Sequence, residues 1–180
     1  KIAKTDGGRL YYDVAMTYFF TGDTIQPAEE GIGISRSMKP LVGKDTSLKV
    51  GNNYLMTLTI TVPEDRNFVA VESPLPAGME LVDVKLQTSQ QNLLSGLASD
   101  TSLWSWEAWE NGLWRFSHQE YRDDQLFLFA DHLPAGVDEY RAIVRATTPG
   151  TFRQRPARAY EMYFPEVFGQ TEGGWVTINE

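Results

Sequence analysis

Between Tyr54 and Val62 the chain alternates with period two: Tyr54, Met56, Leu58, Ile60 and Val62 fall on one parity, and Leu55, Thr57, Thr59 and Thr61 on the other. Successive side chains of a strand point to opposite faces, so this stretch presents a large apolar face and a threonine-rich one. A helix would scatter the same residues around its circumference, so the segment reads as a half-buried antiparallel strand. Such a face needs a second layer to bury it, and the rest of the chain must therefore supply further strands.

It does so at short, regular spacing. Residues 9–20 alternate Leu10, Tyr12, Val14, Met16, Tyr18 and Phe20 against Tyr11, Asp13, Ala15, Thr17 and Phe19, which predicts a long strand covered on both faces. Residues 31–38 give a weaker strand, and Pro63-Glu64-Asp65 a turn after which 67–72 is expected to pair back as a hairpin. Leu-Pro-Ala-Gly occurs twice, at 75–78 and 133–136, each time between apolar runs. Proline presets φ and glycine accepts φ > 0, so both copies are expected to be rigid corners. Residues 125–130 and 139–147 are further strands, 151–163 the last long one, and the tail at 173–178 reads either as an edge strand or as a segment leading out of the domain. Eight or nine strands in a chain of 180 residues point to one all-β domain, an antiparallel β-sandwich. Residues 89–112 differ in texture and read as an insertion, with a short helix near 92–98 and an Asn111-Gly112 hairpin signal.

Charge and residue usage exclude several functions. A net charge of −8 opposes binding to nucleic acid or an anionic membrane surface. Arg141, Arg145, Arg153, Arg155 and Arg158 form a local exception, read either as a basic stripe or as partners of the many carboxylates. With no cysteine, disulfides and thiol chemistry are ruled out within the chain. No apolar run reaches the ~20 residues of a membrane-spanning helix, so direct membrane insertion is not expected. The start at Lys1, without a signal-like stretch, reads as that of a mature or excised fragment.

Catalytic patterns are weak. There is no Gly-x-Ser-x-Gly elbow and no phosphate-binding glycine loop. His118, Glu120, Asp123, Asp124, Asp131 and His132 crowd one expected hairpin, but the aspartates are the residues that turns themselves use, so no metal site, cofactor or catalytic residue is assigned. Trp104, Trp106 and Trp109 could stack on a sugar, as in a carbohydrate-binding or adhesin-type β-sandwich, or pack the insertion against its own domain.

The stretch with the most functional content is 158–169. Arg158, Tyr160 and Met162 alternate with Ala159, Glu161 and Tyr163, after which Pro165 stops the strand and sends Phe164, Glu166, Val167 and Phe168 into an irregular segment ending at Gly169. Tyr160 and Met162 are expected to point inward, and Tyr163, Phe164 and Phe168 to contact a partner. Arg145 is placed at the same interface.

Together with Glu120-Tyr121-Arg122-Asp123-Asp124, Leu128-Phe129-Ala130-Asp131, the second Leu-Pro-Ala-Gly and residues 145–150, the run Pro156-Ala157-Arg158-Ala159 to Phe168-Gly169 resembles the C-terminal macroglobulin-like domain of bacterial α2-macroglobulin family proteins. The first half agrees more loosely, through 8–12, 49–51 and the first corner. The resemblance implies a non-enzymatic cover domain at the end of a large periplasmic protein, which is commonly held at the inner membrane as a lipoprotein. Its partners would be upstream domains of the same parent, including a thioester domain where one exists, then periplasmic envelope proteins and, indirectly, trapped proteases.

Overall fold

The computed structural model describes residues 5, 7–17, 22–43, 45–82 and 115–180. Among them the chain is all β, with thirteen strands: β1 Ala28–Glu30, β2 Gly33–Pro40, β3 Leu48–Lys49, β4 Asn53–Val62, β5 Arg66–Pro74, β6 Met79–Val82, β7 His118–Arg122, β8 Gln125–Leu133, β9 Gly136–Ala146, β10 Gly150–Gln154, β11 Arg158–Glu161, β12 Phe168–Gln170 and β13 Gly174–Asn179. They form a four-stranded sheet, β2-β4-β9-β6, a six-stranded sheet, β1-β12-β11-β5-β8-β7, and a small sheet, β10-β13-β3. Every pairing is antiparallel except β13 with β3.

The alternation of β4 decides the layering. Tyr54, Met56, Leu58, Ile60 and Val62 are closed to solvent and share one core with Tyr140, Ala142 and Val144 of β9. Facing them are Val69 and Val71 of β5, Leu126, Leu128 and Ala130 of β8, and Ala159 of β11. The two larger sheets are thus the layers of a β-sandwich. Ile178, with Phe152 and Leu48 packed against it, extends that core under the small sheet.

Three expectations about connectivity give way to the structure. Residues 67–72 do not fold back on β4: the turn at 63–65 carries the chain across to the other sheet, where β5 lies between β8 and β11. The turn is tied to the second Leu-Pro-Ala-Gly corner, because Ala135 donates its N–H to Asp65 Oδ1 at 2.9 Å. The expected single strand over 151–163 is two, β10 and β11, in different sheets. Pro156, which cannot donate to a ladder, sits in the break. Arg36 bridges that break, donating to the carbonyls of Pro74 and Arg155 at 2.8 Å each. Burial lowers its guanidinium pKa to about 10, which leaves it charged at neutral pH.

The third difference is at the start of the chain. Residues 9–17, expected in a covered strand, form no strand and are all exposed. Residues 18–20 of the same expectation lie outside the described residues, as do the insertion at 89–112, its helix and its hairpin.

The two Leu-Pro-Ala-Gly corners use their glycines differently. Gly136 does take a positive φ, +147°, whereas Gly78 is absent from that region. A Cβ on Gly78 would instead come within 2.5 Å of Phe152 and 2.7 Å of the Thr148 carbonyl, so close packing is what requires glycine there.

Candidate interaction surface

β11 ends where Glu161 turns into the core, and the six residues 162–167 leave the sheet before β12. Ala159 and Glu161 are the inward pair, while Met162 is exposed, which reverses the expected inward parity of Tyr160 and Met162. The register explains it: Ala159 lies opposite Val71 and Glu161 opposite Val69, both core residues. Beyond Glu161 a tight turn closes at Pro165, with Val167 donating to the Phe164 carbonyl at 2.9 Å and Glu161 to the Val167 carbonyl at 3.1 Å. Met162 donates to the Phe68 carbonyl at 2.9 Å, which fixes the turn to β5.

The turn is held rigidly at its base and is open at its tip. Met162, Tyr163 and Phe164 are 50%, 70% and 60% exposed, and Pro165 and Glu166 are exposed with them. Phe68 joins them edge-on, its ring 5.2 Å from Tyr163 at an interplanar angle of 90°. Phe68 has φ +53°, a left-handed conformation that costs a non-glycine residue about 1 kcal/mol or more. Beneath the turn, Arg66 reaches Glu64 at 2.9 Å, Glu161 at 3.8 Å and the Gly31 carbonyl at 3.4 Å. One guanidinium therefore ties together the turn after β4, the end of β11 and the entry to β2. Gly169, on β12, completes the base: a Cβ there would collide with the backbone carbonyl of Ile32.

The outer face of the six-stranded sheet continues the surface in two cross-strand rows. The first is His118, Phe129, Ala70, Tyr160 and Phe168; the second is Glu120, Phe127, Glu72, Arg158 and Gln170. Phe127 and Phe129 stack with centroids 6.4 Å apart, and Arg122 lies 5.0 Å over Phe127. Arg158 spans Tyr160 at 5.9 Å and Phe168 at 5.6 Å. The Tyr160 hydroxyl donates to Glu72 at 2.7 Å, and this bond to a carboxylate, aided by partial burial, pushes the phenol up to about 12.

Arg145 is elsewhere. It projects from β9 on the outer face of the opposite sheet, donating to Asn53 Oδ1 at 3.0 Å. Arg141 pairs with Glu139 there, Arg153 covers Trp175 beside the small sheet, and the arginines thus do not make one stripe. His118 and His132 are not gathered either: His118 packs on Phe129 and His132 contacts Asn67. Among the described residues no three His, Asp or Glu side chains are grouped to hold a metal. Trp104, Trp106 and Trp109 lie outside the described residues.

Phe68, Phe127 and Phe129 were missed by sequence reasoning, although the signal was there: residues 125–130 are apolar on both parities, so one set had to face outward.

Residues 31–166 match the family described as Bacterial Alpha-2-macroglobulin MG10 domain. The chain belongs to this family. The chain is 29% identical over 184 aligned residues to an alpha-2-macroglobulin homolog of Nostoc sp., covering 94% of this chain and 9% of that protein. It is 26% identical over 188 residues to circularly permutated Ras protein 2 of Dictyostelium discoideum, covering 99% of this chain and 4% of that one. Its fold superposes on trypsin-activated alpha-2-macroglobulin from Escherichia coli with a TM-score of 0.68 at 24% identity, over 87% of this chain and 11% of that chain. The chain therefore spans a small part of the proteins it resembles.

Proposed function

We propose that this chain is the terminal macroglobulin domain of a longer, exported alpha-2-macroglobulin-like protein, in which it is a non-enzymatic cover that docks on neighbouring domains. The observation carrying this reading is the turn at 162–166. Three large apolar side chains stand in solvent on a base fixed by Arg66, three backbone hydrogen bonds and a strained Phe68. An isolated domain gains nothing from that arrangement, whereas aromatic anchors presented on a rigid base bind a complementary recess with little loss of conformational freedom. Arg158 and Arg122, already lying over aromatic rings, would meet carboxylates of a partner at the margin.

The relatives support a protease-related setting, since one of the similar structures is of a trypsin-activated molecule. In this reading the domain takes part in protease trapping through steric and conformational change, in the periplasm, with upstream domains as its first partners. The test is Tyr163→Ala with Phe164→Ala in the longer protein. The double variant is expected to loosen the docking of this domain, seen as faster limited proteolysis at its junctions, while the separate domain keeps its melting temperature. Unchanged proteolysis together with an unchanged melting temperature would remove the claim.

A further inference from the structure

Residues 10–17 pose a physical problem. Leu10, Tyr12, Val14 and Met16 share one parity, an apolar face with the same alternation that buries β4, and Tyr11, Asp13, Ala15 and Thr17 make the opposite, more polar face. Yet Leu10, Tyr11, Tyr12, Val14 and Met16 are between 49% and 82% exposed, and the segment forms no strand. Scattered surface apolars need no explanation, but four in strict alternation on one extended segment do.

Further on, backbone bonds tie the chain to the domain. Ile25 exchanges both backbone hydrogen bonds with Gly173, at 2.8 and 2.9 Å, and the Gly22 carbonyl accepts from Arg153. From there the chain enters β1 and the sandwich. The family match likewise starts at 31, whereas the Nostoc and Dictyostelium proteins align over 94% and 99% of the chain and are far longer than it. Among the described residues no strand pairs with this segment, its apolar side chains are exposed, and most of the length of the resembling proteins lies outside this chain.

We infer that residues 10–17 are a β-strand donated to an open sheet edge in an adjoining domain of the longer protein, with Leu10, Tyr12, Val14 and Met16 entering that domain's core. This rests on the reading of the chain as one domain of a larger protein, but not on the docking turn at 162–166. The required partner is an antiparallel or mixed sheet that lacks one edge strand and has an apolar inner face. Main-chain hydrogen bonds would supply affinity, and the pockets for alternate side chains would supply register. The strand would also tether this domain to its neighbour through the short link 18–24.

Hydrogen exchange on the longer protein and on the separate 180-residue chain tests this. In the longer protein the amides of 10–17 are expected to exchange roughly 100-fold more slowly than in the separate chain, where they exchange almost as in an unstructured peptide. Tyr12→Pro, which removes a ladder donor, is expected to abolish that protection and to lower the melting transition of the adjoining domain without moving that of the sandwich. Tyr163→Ala with Phe164→Ala is expected to leave the protection in place, so the two readings fail separately. Fast exchange in the longer protein would overturn the inference. So would equal protection in the separate chain, whether independent of concentration, as for a strand of this domain, or concentration-dependent, as for exchange between two copies.

Discussion

Tyr54 to Val62 and Leu10 to Met16 carry the same period-two alternation, yet the first is hydrogen-bonded on both edges with its apolar face closed to solvent while the second lies open in no sheet. Intrinsic pattern is common to both. Neighbours are not: β4 has β2 on one side, β9 on the other and a second layer across the core, whereas residues 10–17 pair with no strand among the described residues. The difference shows that alternation specifies which face wants cover, while topology decides whether cover exists in the same domain.

The largest test of that contrast pairs truncations at matched positions. Leu58→Ala, in a core site with no solvent exposure, is expected to cost about 2–5 kcal/mol in denaturant unfolding of this chain. Leu10→Ala in the same chain is expected to change stability by less than about 0.5 kcal/mol. Equal costs would erase the distinction. Next, Gly169→Ala forces a Cβ into the Ile32 carbonyl and is expected to cost about 1–3 kcal/mol, because β12 and β2 must separate for it to fit.

Arg66→Met addresses the region between these extremes, where exposed aromatics sit on a buried base. It leaves Glu161, an inward carboxylate, without its cation, and about 1–3 kcal/mol of destabilisation is expected. A measured loss near zero would mean that the backbone bonds alone hold the turn. The smallest effect concerns Tyr160. Its phenol is raised, so the folded state keeps a proton that the unfolded chain gives up first. The associated stability is present below pH 10 and is lost as pH rises from about 10 towards 12. Absorbance titration of Glu72→Gln is expected to show Tyr160 ionising at lower pH than in the wild type; no change would sink the assigned cause.

Much of the sandwich was legible because its strands are amphipathic. The parity of β4 and of β9 places Tyr54, Leu58, Tyr140 and Val144 in the core as expected. The sheet switch at 63–65 was not legible, since a three-residue turn suits a hairpin and an inter-sheet arch equally, and the choice rests on distant partners such as Val69 with Ala130. Pro156 carried the signal for the break between β10 and β11, but the alternation on either side masked it. At the interaction surface, Pro165 correctly announced the end of β11. The inward parity could not be read there, because Glu161 is buried on the cation of Arg66, a partner 95 positions away that alternation cannot reveal.

The crossing at 63–65 also bears on how the chain reaches this state in time. β4 and β5 are adjacent in sequence but not in a sheet; β4 pairs with nearby β2 but also needs remote β9, and β5 needs β8 and β11, both remote. Apart from short-range pairs such as β2 with β4, β7 with β8 and β11 with β12, the sheets join strands remote in sequence, so loop-closure entropy must be overcome before most contacts form, and refolding is expected in the slow range of all-β domains, milliseconds to seconds. During synthesis β5 would emerge before either of its partners, and collapse into the native sandwich would wait until β11 and β12 had left the ribosome.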